Sequence, residues 1–217
     1  MSRRIVLVTL LVAACLSASP SALARPAFSA KVSRLDAGTR DLMIGRSWRP
    51  GCPVPLRDLR LIRMKTWGFD RRWHRGKLVV HRWYADEMVR VFKRLYAVRF
   101  PIRQMRLVDH FGANDHRSMA ADNTSAFNCR YRGGACCRWS QHAYGRALDL
   151  NPVENPYVYD GGFSPANGRP YLDRSQHRRG MIHNRDDVWW AFHAVGWSWG
   201  GNWRGPNDYQ HFSANGR

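Results

Sequence analysis

Apolar and polar positions alternate at short range over Leu59–Met64 and again over Lys77–His81, the pattern of half-buried strands, and Gly68 and Gly76 supply turn residues around the junction. From Tyr84 to Phe100 the period lengthens. Met88, Val91, Phe92, Leu95 and Tyr96 recur at the offsets of one helical face, with Lys93 and Arg94 opposite, which predicts an amphipathic helix. Arg103–Phe111 reads as a further strand, Ala147–Leu150 as a short one, Asp186–Val195 as an amphipathic helix opened by an aspartate, and Tyr209–Ser213 as a final strand. Between them, 112–138 is polar and glycine-rich, a loop of a length that compact domains usually keep for function. Ahead of all of these, 25–51 is basic with Pro, Ser and Gly and reads as a partly ordered arm. No internal repeat or break in composition marks a second domain, so the predicted class is a single α+β domain over 52–217, a small antiparallel sheet with flanking helices.

The first 24 residues follow another logic. Arg3-Arg4 precede a run of apolar or small residues, Ile5 to Leu16, and a Ser/Ala/Pro stretch ends in Ala22-Leu23-Ala24; this is the layout of an export signal with an A-x-A cleavage site. Two details leave the route open: Val12-Ala13-Ala14-Cys15 is similar to a lipobox, which would lipidate Cys15, and the Arg pair hints at twin-arginine export. Either way the expected location is secreted or within the cell envelope. No apolar run reaches the roughly 18 residues of a membrane span.

Composition then narrows the partners. The 217 residues are 44% hydrophobic and 12% aromatic, which excludes a disordered chain. Thirty-five Lys and Arg against 16 Asp and Glu give a formal charge of +19, and cleavage after Ala24 removes only two of the basic residues. Such a chain is expected among anions, whether nucleic acid, anionic lipid or an anionic cell-wall polymer, and charge alone does not choose among them. The basic residues along 57–106 carry no zinc-finger or RNA-recognition signature, so no specific nucleic acid is expected, and the chain is read as a monomer.

Four cysteines, Cys52, Cys129, Cys136 and Cys137, remain after the leader, an even number in an exported chain. Adjacent Cys136 and Cys137 have Cα atoms only about 3.8 Å apart, which disfavours their pairing, so Cys52 is expected to be tied into the 129–137 segment.

The chemistry concentrates in two stretches, Ser140 to Pro152 and Asp208 to Phe212. They supply two imidazoles, His142 and His211, a carboxylate at Asp149, and a second carboxylate, Asp208, three residues before a histidine. Three ligands from His and Asp suit a catalytic zinc, whose fourth position stays open, better than a closed structural site. Zinc brings a water towards ionisation at neutral pH and a nearby carboxylate can take its proton, which points to hydrolysis. Gly145 permits a tight turn between His142 and Asp149. The other seven histidines match no part of this pattern and read as surface or satisfied core groups.

The pattern Ser-x-His-x-x-Gly-x-Ala-x-Asp at 140–149, then Trp197-x-Trp199-Gly200-Gly201-x-Trp203 and Asp208-x-x-His211-Phe212, resembles the zinc D-alanyl-D-alanine carboxypeptidases of the VanY type. Their wider group includes L-alanyl-D-glutamate endopeptidases and, as a fold relative, hedgehog proteins. The resemblance runs from about Cys52 to Phe212. It implies one zinc ion held by His142, Asp149 and His211, with Asp208 as the catalytic base and Ser140 beside the substrate. Arg130 stands where relatives carry a substrate-binding arginine, and a guanidinium fork suits a peptide carboxylate. The implied substrate is a peptide stem of peptidoglycan, cut by a carboxypeptidase or, alternatively, an endopeptidase. The base position is Asp where many members have Glu, and Gln141 stands where Glu is frequent. A third alternative keeps the fold as a zinc-containing wall- or polyanion-binding module without turnover; a carboxylate retained at 208 favours the enzyme.

Overall fold

The computed structural model describes residues 26–132 and 137–216, so the leader, Cys15 and the pairing of Cys136 lie outside the described residues. In chain order the elements are β1 (Ala30–Arg34), α1 (Ala37–Met43), β2 (Leu59–Trp67), β3 (Trp73–His81), α2 (Ala85–Ala97), β4 (Gln104–Met105), α3 (Asp115–Ala120), β5 (Asn123–Thr124), β6 (Ala147–Asp149), β7 (Tyr157–Tyr159), β8 (Gly162–Ser164), α4 (Asp187–His193), β9 (Ser198–Trp199), β10 (Asn207–Asp208) and β11 (His211–Ser213). They form three antiparallel three-stranded sheets, β1-β2-β3, β10-β7-β8 and β6-β11-β9, and one parallel pair, β4-β5. The architecture is α+β, with small antiparallel sheets as expected. No helix among the described residues is long and apolar enough to cross a membrane.

The helical face read at Met88, Val91, Phe92 and Leu95 is the buried face of α2, and it joins Ile62, Met64, Leu78 and Val80 from β2 and β3 in the larger core. Helix α4 closes the other side of that core with Val188, Ala191 and Phe192, and Phe192 stacks on Phe212 at 3.8 Å. Its start is fixed by Asp186, whose side chain accepts from the Trp189 amide at 2.7 Å. A smaller core, Leu35, Met43, Val54, Leu59, Leu61, Val79, Leu107, Phe127 and Ala143, lies on the opposite face of β2 and β3. The Cys52–Cys129 disulfide ties its edge, which agrees with the expected link of Cys52 into the 129–137 segment.

Three expectations are corrected. The 25–51 stretch, expected as a partly ordered arm, is built into the fold over its described residues: β1 adds to the edge of β2, and α1 follows with Asp36 capping the Thr39 amide at 2.8 Å. Arg103–Phe111 is strand only at Gln104–Met105. Asn123 takes over there, its side chain accepting from the Arg106 amide at 2.9 Å and donating to the Arg106 carbonyl at 3.0 Å, so a side chain replaces the next strand partner; a 3₁₀ turn follows at Val108–Phe111. The 112–138 stretch contains α3, capped by Asn114, and β5. Pattern reading also left out the β7–β8 hairpin and β10.

Candidate active site

Strands β6 and β11 are antiparallel, with Leu148 opposite Phe212 and Asp149 opposite His211. Leu148 and Phe212 are fully buried in the larger core. Because successive side chains alternate between faces, sinking that pair into the core turns Asp149 and His211 together to the other face. Hydrophobic burial thus aims two polar groups.

His142 arrives on a 3₁₀ turn, Gln141–Tyr144, capped by Ser140, whose Oγ accepts from the His142 amide at 3.3 Å. Gly145 ends the turn at φ +63°, and a Cβ there would lie 2.5 Å from the backbone nitrogen of His81, so conformation and space both require glycine. The Nδ1–H of His142 donates to the Ala126 carbonyl at 2.5 Å, which leaves Nε2 as the bare nitrogen. That Nε2 lies 3.2 Å from Asp149 Oδ2 and 3.3 Å from His211 Nδ1, and His211 Nδ1 lies 3.0 Å from Asp149 Oδ1. All three residues are buried.

These three could hold a metal ion. Nitrogen and oxygen ligands about 2.0–2.1 Å from a tetrahedral zinc are themselves about 3.3 Å apart, the separation found here, and the ligand types are those zinc takes. The electrostatics agree. Burial alone would raise the Asp149 carboxyl, but His142 and His211 beside it hold it well below the usual range. Burial would likewise depress His142, and Asp149 outweighs it and raises the imidazole.

Asp208 comes from β10, opposite Tyr157 on β7. The 200–202 turn passes so close that a Cβ on Gly200 would lie 2.5 Å from the Asp208 carbonyl oxygen, so the glycine sets how near the turn and this strand can approach. Asp208 is half-buried, and its Oδ1 is shielded from solvent with no hydrogen-bond partner. Burial pushes its pKa up to about 7; His211 opposes the rise, and Asp149 and Asp115 add to it. A carboxyl poised near neutrality suits a group that takes and returns a proton.

Arg130 makes an ion pair with Asp115 at 2.7 Å, and its Nε is buried without a partner. Its charge is felt at both His142 and Asp208, so it borders the same site. The structure therefore brings His142, Asp149 and His211 together, sets Arg130 and Asp208 within electrostatic reach of them, and uses Ser140 on the turn that carries His142. Sequence reasoning missed Asp115, the partner of Arg130, and the Ala126 carbonyl that orients His142; no side-chain motif could signal a backbone acceptor. It also missed a second buried acidic group. Glu154 and Asp122 are buried with Arg103 at 3.6 and 3.5 Å, and burial, then the Asp122 carboxylate, push Glu154 up to about 8.

No curated protein and no solved structure matches the chain. Residues 134–214 do match a family model; the match takes in Ser140, His142, Asp149, Asp208 and His211 and stops short of Arg130. That family model is described as D-alanyl-D-alanine carboxypeptidase, the family that the motifs of this stretch resemble.

Proposed function

We propose that this chain is an exported, zinc-dependent peptidase that hydrolyses peptide-stem bonds of peptidoglycan, with release of a terminal D-alanine as its reaction. The observation that carries the reading is the convergence of His142 Nε2, His211 Nδ1 and the Asp149 carboxylate within 3.0–3.3 Å, with the unpartnered Asp208 carboxyl in the same electrostatic neighbourhood. On this reading residues 1–24 are the export signal and the fold is that of the hedgehog and D-Ala-D-Ala peptidase group.

A zinc ion held by the three residues would polarise a scissile carbonyl and ease the ionisation of a water. The rest falls to the protein. Asp208 accepts the proton of the attacking water and delivers it to the leaving amine. Arg130 offers its guanidinium to the terminal carboxylate of the stem, with Asp115 holding the fork in place. Ser140 fixes the turn that presents His142, and the Ala126 carbonyl fixes its tautomer.

The presence of Asp rather than Glu at 208 favours a second reading within the class, cleavage of an internal L-alanyl-D-glutamate bond. Incubating the zinc-loaded protein with muropeptides and weighing the products separates them. Loss of one D-alanine supports the carboxypeptidase, internal fragments alone support the endopeptidase, and intact muropeptides refute both.

A further inference from the structure

Away from this site, the sheet β1-β2-β3 has one face that is covered at one end only. Leu59, Leu61 and Val79 point into the smaller core, but further along the same face Lys31, Arg63 and Lys77 stand directly opposite one another across the three strands. The next pair outward on that face is Lys65 opposite Arg75, and beyond it Trp67 opposite Trp73. Lys31, Arg75 and Lys77 are exposed; Arg63 and Lys65 are half-buried. Only Arg63 has an acid partner, Asp36 at 2.5 Å, among the described residues.

Like charges directly opposite on a sheet destabilise it. Asp36 offsets Arg63, and Lys65 donates to the Ala27 carbonyl at 3.2 Å, so Lys31, Arg75 and Lys77 are the cations whose repulsion an anionic partner would relieve. The rows are spaced by two residues along the strand, about 6.8 Å, which is close to one repeat of an extended phosphodiester-linked polyol, and strands about 4.8 Å apart let two or three cations address each phosphate. A single-stranded nucleic acid stacks successive bases on a run of open rings, and this end of the face offers one at most. Trp73 is exposed with Lys65 Nζ over its ring at 4.8 Å, while Trp67 stacks on Tyr96 and carries Arg99 over its ring.

We propose that this open basic face of β1-β2-β3 docks a linear polyol-phosphate polymer of the cell envelope, holding the protein in its polymer while the distant site works on peptides. The choice of an envelope polymer rests on the peptidase reading; the docking face itself does not.

The test uses the mature chain and poly(glycerol phosphate) of defined length as probe, with binding followed over a range of salt. Arg75→Glu with Lys77→Glu should weaken binding by roughly tenfold or more and flatten the dependence of log K on log salt by about 0.7 for each cation lost. Lys93→Glu with Arg94→Glu, the same charge change on exposed residues of α2, should leave binding within about twofold. Thermal melting checks that both variants fold, and Arg75→Gln with Lys77→Gln serves if the reversal does not. Equal losses in both pairs would reduce the effect to net charge and overturn the proposal, as would unchanged binding in the sheet variant. Tighter binding of an oligothymidylate with the same number of phosphates would overturn it in favour of nucleic acid. Asp208→Asn should bind the polymer like wild type, and wild-type protein that docks but never hydrolyses muropeptides counts against the peptidase reading alone.

Discussion

His142 Nε2 faces His211 Nδ1 at 3.3 Å inside the protein, with one carboxylate, Asp149, reaching both. Two imidazole nitrogens and a carboxylate at these separations suit a shared cation. Purified protein is expected to carry about one equivalent of zinc. Replacing His142 or His211 with Ala should abolish tight binding, and chelation should lower the melting temperature of wild type reversibly. Metal content by mass spectrometry decides it: retention in either alanine variant rejects the ligand set.

Asp208→Asn keeps size and loses the ability to accept a proton. Zinc content and melting temperature should stay at wild-type values while muropeptide turnover falls by about 10²- to 10⁴-fold. Near-normal turnover would remove Asp208 from the chemistry, and a loss of zinc would make it a ligand.

Gly200→Ala tests the approach of the turn to Asp208, since the new methyl would sit 2.5 Å from a backbone oxygen and 3.0 Å from the Asp208 Cβ. A displaced β10 should lower kcat about tenfold or more with KM little changed, because a misplacement of about 1 Å at a reacting group can cost up to 10²-fold. Unchanged kcat would show that the turn yields without moving the base.

The Cys52–Cys129 bond closes a loop with a sequence separation of 77 residues. Replacing both cysteines with Ser should cost about 4 kcal/mol by the chain-entropy rule, read as a shift in a denaturant midpoint. A change below about 1 kcal/mol would mean that the smaller core holds this edge unaided.

Glu154 supplies a pH signature separate from the metal site. Its carboxyl is raised to about 8 in the fold from an ordinary value near 4.5, so the folded state binds the extra proton and its stabilisation is complete below about pH 4.5. Stability should decline as pH rises through 8, and Glu154→Gln should flatten that part of a plot of melting temperature against pH. A wild-type curve that climbs across this interval would contradict the assignment.

What could be read from the chain and what could not divide on physical lines. Alpha2, β2 and β3 bury a continuous apolar face, so their periods are visible in the letters. The site was legible because its members are side chains at fixed short spacings, His142 to Asp149 and Asp208 to His211, on elements too brief to vary. Strand β1 was not, because an edge strand that buries little carries no alternation, as its mostly exposed residues show. The break after Met105 hinges on one amide side chain, Asn123, arriving from 17 residues away, and local patterns carry no trace of such a partner.

The register of β6 on β11 makes the last strand an assembly checkpoint. A slip of one residue would turn His211 into the hydrophobic interior and Phe212 out of it, so a mispaired strand could form neither the core contact nor the ligand set. Asp149 and His211 are 62 residues apart in the chain, so this register joins two distant segments at one site. One register therefore sets the seat of Phe212 and the approach of His211 to Asp149 together, and neither forms without the other.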